Sequence, residues 1–375
     1  MVLGQHDSFQ VPYVGLKQEF GQRQEELLAA FSTVAANASY ILREDVELFE
    51  ESIAKMLGVR YAIGVNSGTD ALFLALKALD IGKGDEVITV AHTFVATVST
   101  IVHCGAKPVL IDIADDFNLA VEKLEQAVTA STRAIIPVHM NGRCCNMDAL
   151  LAIAGKYRLH VIEDAAQSLG AHINGVYAGN FGIINAFSLH PMKSLHCYGD
   201  GGLVTTNDRC LAEQVRLLRN HGQNQNKELV AFGFNSRLDN LQAALLNVNL
   251  KYFESDIKRR RQIALRYHTG LMNCVDLKLP QPPKDSGYFD TFSSYPIRCL
   301  KRDQLLRHLR QKNIECFIHW EKPLHLNESI KLGNFDLPVT EQVSREVLSL
   351  PIHPFLDDEQ CEYVIAAIKE FFNGC

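Results

Sequence analysis

Three short segments of this chain bring together residue types that do chemistry. In Asn66-Ser67-Gly68-Thr69-Asp70 a strand-like run ends and a helix-like run begins. The first N–H groups of a helix have no intrahelical acceptor, and a glycine admits close backbone approach, so this joint suits a phosphate. The same residues also suit an ordinary N-cap by Ser67 or Thr69. In His160-Val161-Ile162-Glu163-Asp164-Ala165-Ala166-Gln167 an apolar strand delivers a carboxylate at its end. Asp164 there can hold a ring nitrogen protonated, or it can be a solvated strand end. In Ala186-Phe187-Ser188-Leu189-His190-Pro191-Met192-Lys193, followed by Gly199-Asp200-Gly201-Gly202, a lysine follows a strand and a proline turn and precedes a glycine-rich return. Most lysines sit on exposed helix faces and need no such frame. A lysine that forms imines has to be partly neutral, which burial or a nearby cation achieves.

Taken together, these segments supply a phosphate seat, a carboxylate for a ring nitrogen and an amine, each at a strand end. Pyridoxal phosphate needs these groups from its protein, and no other reading accounts for all three at once. Lys193 and Asp164 are the expected catalytic pair.

The elements that must position these groups alternate along the first two thirds of the chain. Strand candidates are residues 61–65, 86–90, 108–113, 134–138, 160–163, 186–189 and 203–206, several of them continuous apolar runs, as strands buried on both faces are. Helical patterns fall at 70–79, 121–128, 147–157 and 209–219. Such alternation predicts an α/β fold, a mostly parallel seven-stranded sheet with helices on both faces and the active groups at the carboxyl ends of the strands. From residue 237 to about 271 one long helix or two abutting ones follow. After the Pro-rich stretch Leu279-Pro280-Gln281-Pro282-Pro283 come a strand at 295–299, a helix at 302–311, a strand near 316–319 and two late helices, the last amphipathic at 358–372. This predicts a large domain over 1–255 and a smaller α+β domain over 256–375, hinged near residue 255.

Composition narrows the function classes. Hydrophobic residues make up 47% and charged residues 21%, ordinary for a globular enzyme, and the net charge of −6 offers nothing general to nucleic acid or an anionic membrane. The one dense basic cluster, Lys258-Arg259-Arg260-Arg261, fits a helix surface. No apolar run is long enough to span a bilayer and the first ten residues are polar, so a cytoplasmic protein is expected, its 10 Cys reduced. No Cys or His spacing suits zinc, so no metal is expected.

On residues 11–16, 66–72, 92–97, 134–142, 163–171, 187–202, 233–244 and 347–354, the chain resembles the DegT/DnrJ/EryC1/StrS family of sugar aminotransferases over nearly its whole length. Gly199-Asp200-Gly201-Gly202 and Asn235-Ser236-Arg237-Leu238-Asp239 resemble the branch that makes 3-amino sugar nucleotides. The resemblance implies the fold-type I, aspartate aminotransferase-like architecture and a shared-site homodimer. It also implies a ping-pong transamination through pyridoxal phosphate and pyridoxamine phosphate. L-glutamate would donate the amine, and a dTDP- or other nucleotide-linked 3-keto-6-deoxyhexose would take it. By the same resemblance Lys193 is the Schiff-base lysine and Asp164 faces the pyridine nitrogen. Phe94 stacks on the ring, and Gly68, Thr69 and Ser188 hold the phosphate. Gln167 bonds the ring hydroxyl, and Asn235 reaches the phosphate from the neighbouring subunit. Arg237 is a substrate candidate that a helix-end ion pair would also explain.

Three departures touch the sugar end of the pocket. His190 stands where that branch often has Tyr, His319-Trp320 where it usually has His-Tyr, and Arg43 where Gly is common. His190, His319 and Trp320 are therefore counted with the substrate residues. Two rivals remain. A sugar dehydratase of this family carries His in place of the lysine, which Lys193 argues against. A non-catalytic regulatory protein on the same fold would have no use for a complete Asp164–Lys193 pair.

Overall fold

The computed structural model describes residues 9–224 and 226–373. In chain order they form α1 (Leu16–Ala36), α2 (Glu44–Leu57), β1 (Tyr61–Val65), α3 (Gly68–Ala78), β2 (Glu86–Val90), α4 (Val95–His103), β3 (Lys107–Ile111) and β4 (Thr132–Ile135). Next come α5 (Met147–Tyr157), β5 (His160–Asp164), β6 (His172–Ile173), β7 (Val176–Tyr177), β8 (Ile184–Ser188), β9 (Gly202–Thr206) and α6 (Arg209–Arg219). The last third holds α7 (Asn240–Leu250), α8 (Phe253–Leu271), β10 (Tyr288–Phe289), β11 (Tyr295–Arg298), α9 (Arg302–Gln311), α10 (Pro338–Glu346), β12 (Val347–Leu350) and α11 (Asp358–Phe371).

The main sheet has seven strands in the order β1-β9-β8-β5-β4-β2-β3. Only β9 runs against its neighbours, pairing antiparallel with β8 and with β1, so the expected mostly parallel sheet is present. Asp164 at the end of β5 pairs with Ala186 of β8 in a parallel register, which brings the carboxylate strand alongside the strand leading to Lys193.

Helix boundaries follow local chemistry. Asn146 caps α5 by accepting from the Ala149 N–H, Asp208 caps α6 by accepting from Cys210 and Leu211, and Asp357 with Gln360 forms a capping box on α11. Two expectations need correction. Residues 121–128 form two 3-10 turns, Val121–Lys123 and Glu125–Ala127, in place of a helix. Neither turn has a side-chain cap, and apolar residues three or four apart suit a 3-10 turn as well as an α-helix. The stretch near 316–319 makes a single bridge, Phe317 to Ser349, on the edge of β12 opposite β11. Among the described residues eight cysteines are free.

Two large apolar clusters share α8. Phe253 and Ile257 belong to the cluster around the main sheet, and Ile263, Ala264, Tyr267 and Leu271 to the cluster built with α9, β11, β12 and α11. The N-terminal Val11 joins this second cluster. Among the described residues no helix is long and apolar enough to cross a membrane.

Candidate active site

Asp164 ends β5 and is 5% exposed. Its Oδ2 accepts from Thr97 Oγ1 at 2.7 Å, and its Oδ1 from the Ala166 N–H at 3.2 Å. Thr97 has one hydroxyl proton, which this carboxylate takes. The Thr93 hydroxyl 2.7 Å away must therefore donate to Thr97. Burial pushes the Asp164 carboxyl above its usual range, against the hydrogen bonds from Thr97 and Ala166 and the charge of Lys193. The Lys193 ammonium shows the complementary effect. Burial pulls it below the ordinary lysine range, and the Asp164 charge pulls it back up. Water exclusion thus moves both groups toward their neutral forms.

Lys193 closes a turn whose N–H donates to the His190 carbonyl at 2.8 Å. The His190 N–H faces Ser188 Oγ at 3.3 Å, and the Met192 N–H donates to His190 Nδ1 at 3.2 Å. Nδ1 is thus an acceptor, so the proton of the neutral His190 ring is on Nε2. Burial lowers the His190 pKa, and the Lys193 charge lowers it further.

The phosphate candidates converge on the joint between β1 and α3. Ser67 is the N-cap, its Oγ accepting from the Asp70 N–H at 3.1 Å, which leaves the Gly68 and Thr69 N–H groups at the open end of the helix. A Cβ on Gly68 would come within 2.7 Å of Ser188 Cβ, so glycine is what lets β8 deliver Ser188 against the helix start. Gln167 Oε1 is taken by the Asn141 N–H at 2.9 Å, leaving the amide NH₂ to donate. Asn235 is exposed, in a stretch that rests on α3 through Phe234 against Phe73 and on the joint before it through Ser236 against Asn66. Arg237 Nη1 donates to Asn220 Oδ1 at 3.1 Å, while its buried Nε has no partner. Arg43 is exposed at the N-cap of α2.

Phe94 caps α4 and is 57% exposed, a wasteful position for a ring with only a packing role. Its ring centroid lies 5.8 Å from that of Trp320, which packs edge-on to His319 at 5.3 Å. His319 Nδ1 bonds Ser349 Oγ at 3.0 Å, and burial followed by the Lys193 charge lowers its pKa to about 4. His319 thus lies near enough to Lys193 to feel its charge, and Trp320 lies against Phe94.

The sequence reading missed the layer beneath Asp164. Glu163 is fully buried and accepts from the Gly179, Phe181 and Gly182 N–H groups at 2.7 Å and from His139 Nε2 at 2.8 Å. His139 Nδ1 accepts from the Cys145 N–H at 3.1 Å, which puts the ring proton on Nε2, facing Glu163. This network anchors the strand end that carries Asp164. Thr93 and Thr97 were in view in the His92-Thr93-Phe94-Val95-Ala96-Thr97 stretch, but nothing in their spacing points to a partner on β5. Among the described residues no group of three or more His, Cys, Asp or Glu is placed to hold a metal.

A model of the DegT/DnrJ/EryC1/StrS aminotransferase family matches residues 22–369. A pleiotropic regulatory protein of Geobacillus stearothermophilus is 39% identical over 367 residues, 97% of this chain and 99% of its own. The dTDP-3-amino-3,4,6-trideoxy-alpha-D-glucose transaminase of Streptomyces venezuelae is 39% identical over 367 residues, 96% of either chain. Among solved structures, S. venezuelae DesV in complex with a ketimine intermediate matches with a TM-score of 0.93 at 39% identity, over 96% of this chain and 98% of that one.

Proposed function

Because this chain belongs to the DegT/DnrJ/EryC1/StrS aminotransferase family, we propose that it transfers an amino group from L-glutamate to the keto carbon of a nucleotide-linked sugar, working as a homodimer. The chain is an aminotransferase on the fold of pyridoxal-phosphate aminotransferases, and the family depends on that cofactor. The residues here fit the cofactor. The close approach at Gly68 forms a cradle with Ser188, Asp164 suits a ring nitrogen, and Lys193 is a dehydrated amine.

The observation that carries the reading is the Thr97–Asp164 bond at the end of β5, with Lys193 close enough to perturb and be perturbed by that carboxylate. When bound, pyridoxal phosphate supplies an electron sink for the reacting carbon. Asp164, oriented by Thr97 and Ala166, holds a proton on the ring nitrogen. Lys193 would hold the cofactor through its amine and, when free, would move a proton at the reacting carbon, a role its lowered pKa suits. Gly68, Thr69 and Ser188 would take the phosphate, the Gln167 amide would donate to the ring hydroxyl, and Phe94 would cover the ring. His190, Arg237, His319 and Trp320 bound the space left for the sugar. The S. venezuelae transaminase, similar over the whole chain, supports a 3-keto sugar on a nucleotide. Exposed Leu229, Val230 and Phe232 beside Asn235 support a second subunit covering that stretch, bringing Asn235 to its partner's phosphate seat.

One relative's name suggests regulation. A regulatory protein would gain nothing from a buried carboxylate electrostatically coupled to a desolvated amine, so the enzymatic reading is preferred. Two measurements test it. Borohydride treatment of the holoenzyme is expected to fix the cofactor to the Lys193 peptide, detected by mass. A panel of keto-sugar nucleotides with L-glutamate is expected to yield one amino-sugar nucleotide. Fixation at Lys193 without any amine product across the panel would overturn the substrate, and no fixation would overturn the site.

A further inference from the structure

A small pocket of about 20 Å³ lies beside the lysine loop, lined among others by Gly15, Glu19, Lys193, Ser194, Arg260 and His353. Here the start of α1, the loop carrying Lys193, α8 and the segment after β12 meet. Four side-chain atoms of these residues are buried and have no hydrogen-bond partner: Glu19 Oε1, Ser194 Oγ, Arg260 Nε and His353 Nδ1. Buried polar atoms are nearly always partnered, so four orphans around one pocket call for a common partner.

The other bonds of these side chains fix what each orphan needs. Glu19 Oε2 is held by His196 Nε2 at 3.1 Å, which leaves Oε1 to accept, its nearest cation being Arg23 Nη1 at 3.5 Å. His353 Nε2 faces the Pro12 carbonyl at 3.2 Å, which can only accept. The ring proton is therefore on Nε2, and Nδ1 presents a lone pair. Arg260 donates through Nη1 to the Ile352 carbonyl, and its Nε–H is a donor without an acceptor. Ser194 Oγ can act either way. The set is two acceptors, one donor and one hydroxyl. A cation would be repelled by the Arg260 guanidinium and could not accept from it. An anion would face the Glu19 carboxylate. An apolar filler would satisfy none of the four.

We propose that this pocket binds one water molecule, which donates to Glu19 Oε1 and His353 Nδ1 and accepts from Arg260 Nε and Ser194 Oγ. The volume exceeds the roughly 10–15 Å³ that a single water requires. The water joins α1, α8 and the segment after β12 to the loop that presents Lys193. The Glu19–His196 bond ties the same loop three residues further on. Glu19 and Ser194 are positioning residues, acting on Lys193 through the water and the loop. Glycine at position 15 belongs to the design, since a Cβ there would come within 2.5 Å of His353 Nδ1.

The kinetic half of this inference rests on Lys193 having the role proposed above, whereas the water site does not. A high-resolution crystal structure of the unchanged holoenzyme is expected to show one ordered water within hydrogen-bonding distance of at least three of the four atoms. A dry pocket, or side chains paired with each other in its place, would overturn the site. Ser194→Ala is expected to slow both half-reactions about fivefold to tenfold in kcat, with KM, cofactor content and melting temperature little changed. Ser194→Thr, which keeps the hydroxyl, is expected to recover most of the rate. A Ser194→Ala enzyme within about twofold of the parent in both half-reactions would overturn the positioning role even if the water is present.

Discussion

Thr97 Oγ1 donates to Asp164 Oδ2 at 2.7 Å across 67 residues of sequence. The bond joins the first turn of α4 to the end of β5 and fixes the carboxylate by a hydroxyl that Thr93 in turn supports. A carboxylate so held cannot rotate away from a ring nitrogen placed against it.

Asp164→Asn is expected to cut turnover by at least about tenfold, because a neutral amide cannot hold a pyridinium proton. Thr97→Val leaves the carboxylate short of a donor and is expected to cost about 1–3 kcal/mol of barrier. Steady-state kinetics of both variants check this. Stability moves the other way. Burial raises the Asp164 pKa in the folded protein. Its contribution to stability is then full below the unfolded value of about 3.9 and is lost as pH rises through the raised folded value. Asp164→Asn should therefore melt higher than the parent at neutral pH when both are free of cofactor, with the gap closing in acid.

Trp320→Ala removes the indole that packs on Phe94. An aromatic pair contributes about 0.5–1.5 kcal/mol, so a slowing of roughly twofold to tenfold is expected. Since Phe94 is the proposed cover of the cofactor ring, the loss should fall on both half-reactions. Stopped-flow spectra of each half-reaction separate the cases. An effect confined to the keto-sugar half would place Trp320 at the sugar alone.

Lys193→Ala is expected to lose at least about 10²-fold in turnover while still folding. If Asn235 serves the partner subunit's phosphate seat, an Asn235→Ala protein that is itself inactive should complement it. Mixed dimers would contain one site with both residues intact. Activity recovered after subunit exchange, followed by native mass spectrometry, is the expected outcome, and exchange without recovery would count against a shared site.

Acid is expected to weaken the cofactor-free protein before its carboxylates titrate. Burial is the leading cause that lowers His92 to about 3 and His319 and His353 to about 4. An unfolded histidine titrates near 6.5, so between there and about 4 the unfolded chain binds more protons. The stability these neutral rings contribute is present above about pH 6.5 and is lost as pH falls. His319→Asn should reduce the pH slope of unfolding by up to one proton, measured by denaturant melts across this range.

The sequence determined the sheet, the identity of the reacting groups and much of the helix pattern. Continuous apolar runs marked β1 and β2 to the residue, and the helices Met147–Tyr157, Arg209–Arg219 and Arg302–Gln311 have the expected bounds. These features rest on local forces, on periodicity, caps and turn residues, which neighbouring positions carry. Lys193 was legible for the same reason, since its proline turn and glycine return are contiguous with it. Tertiary structure decided where local signals were evenly matched or partners were remote. Residues 121–128 carry apolar spacing that two kinds of helix accept, and their packing chose the 3-10 turns. β12 is a strand because β11 lies beside it. Thr97 under Asp164, His139 under Glu163 and Glu19 against His196 join residues 67, 24 and 177 positions apart. A hydrogen bond acts over about 3 Å whatever the sequence separation, so its partner is settled only when the chain has folded.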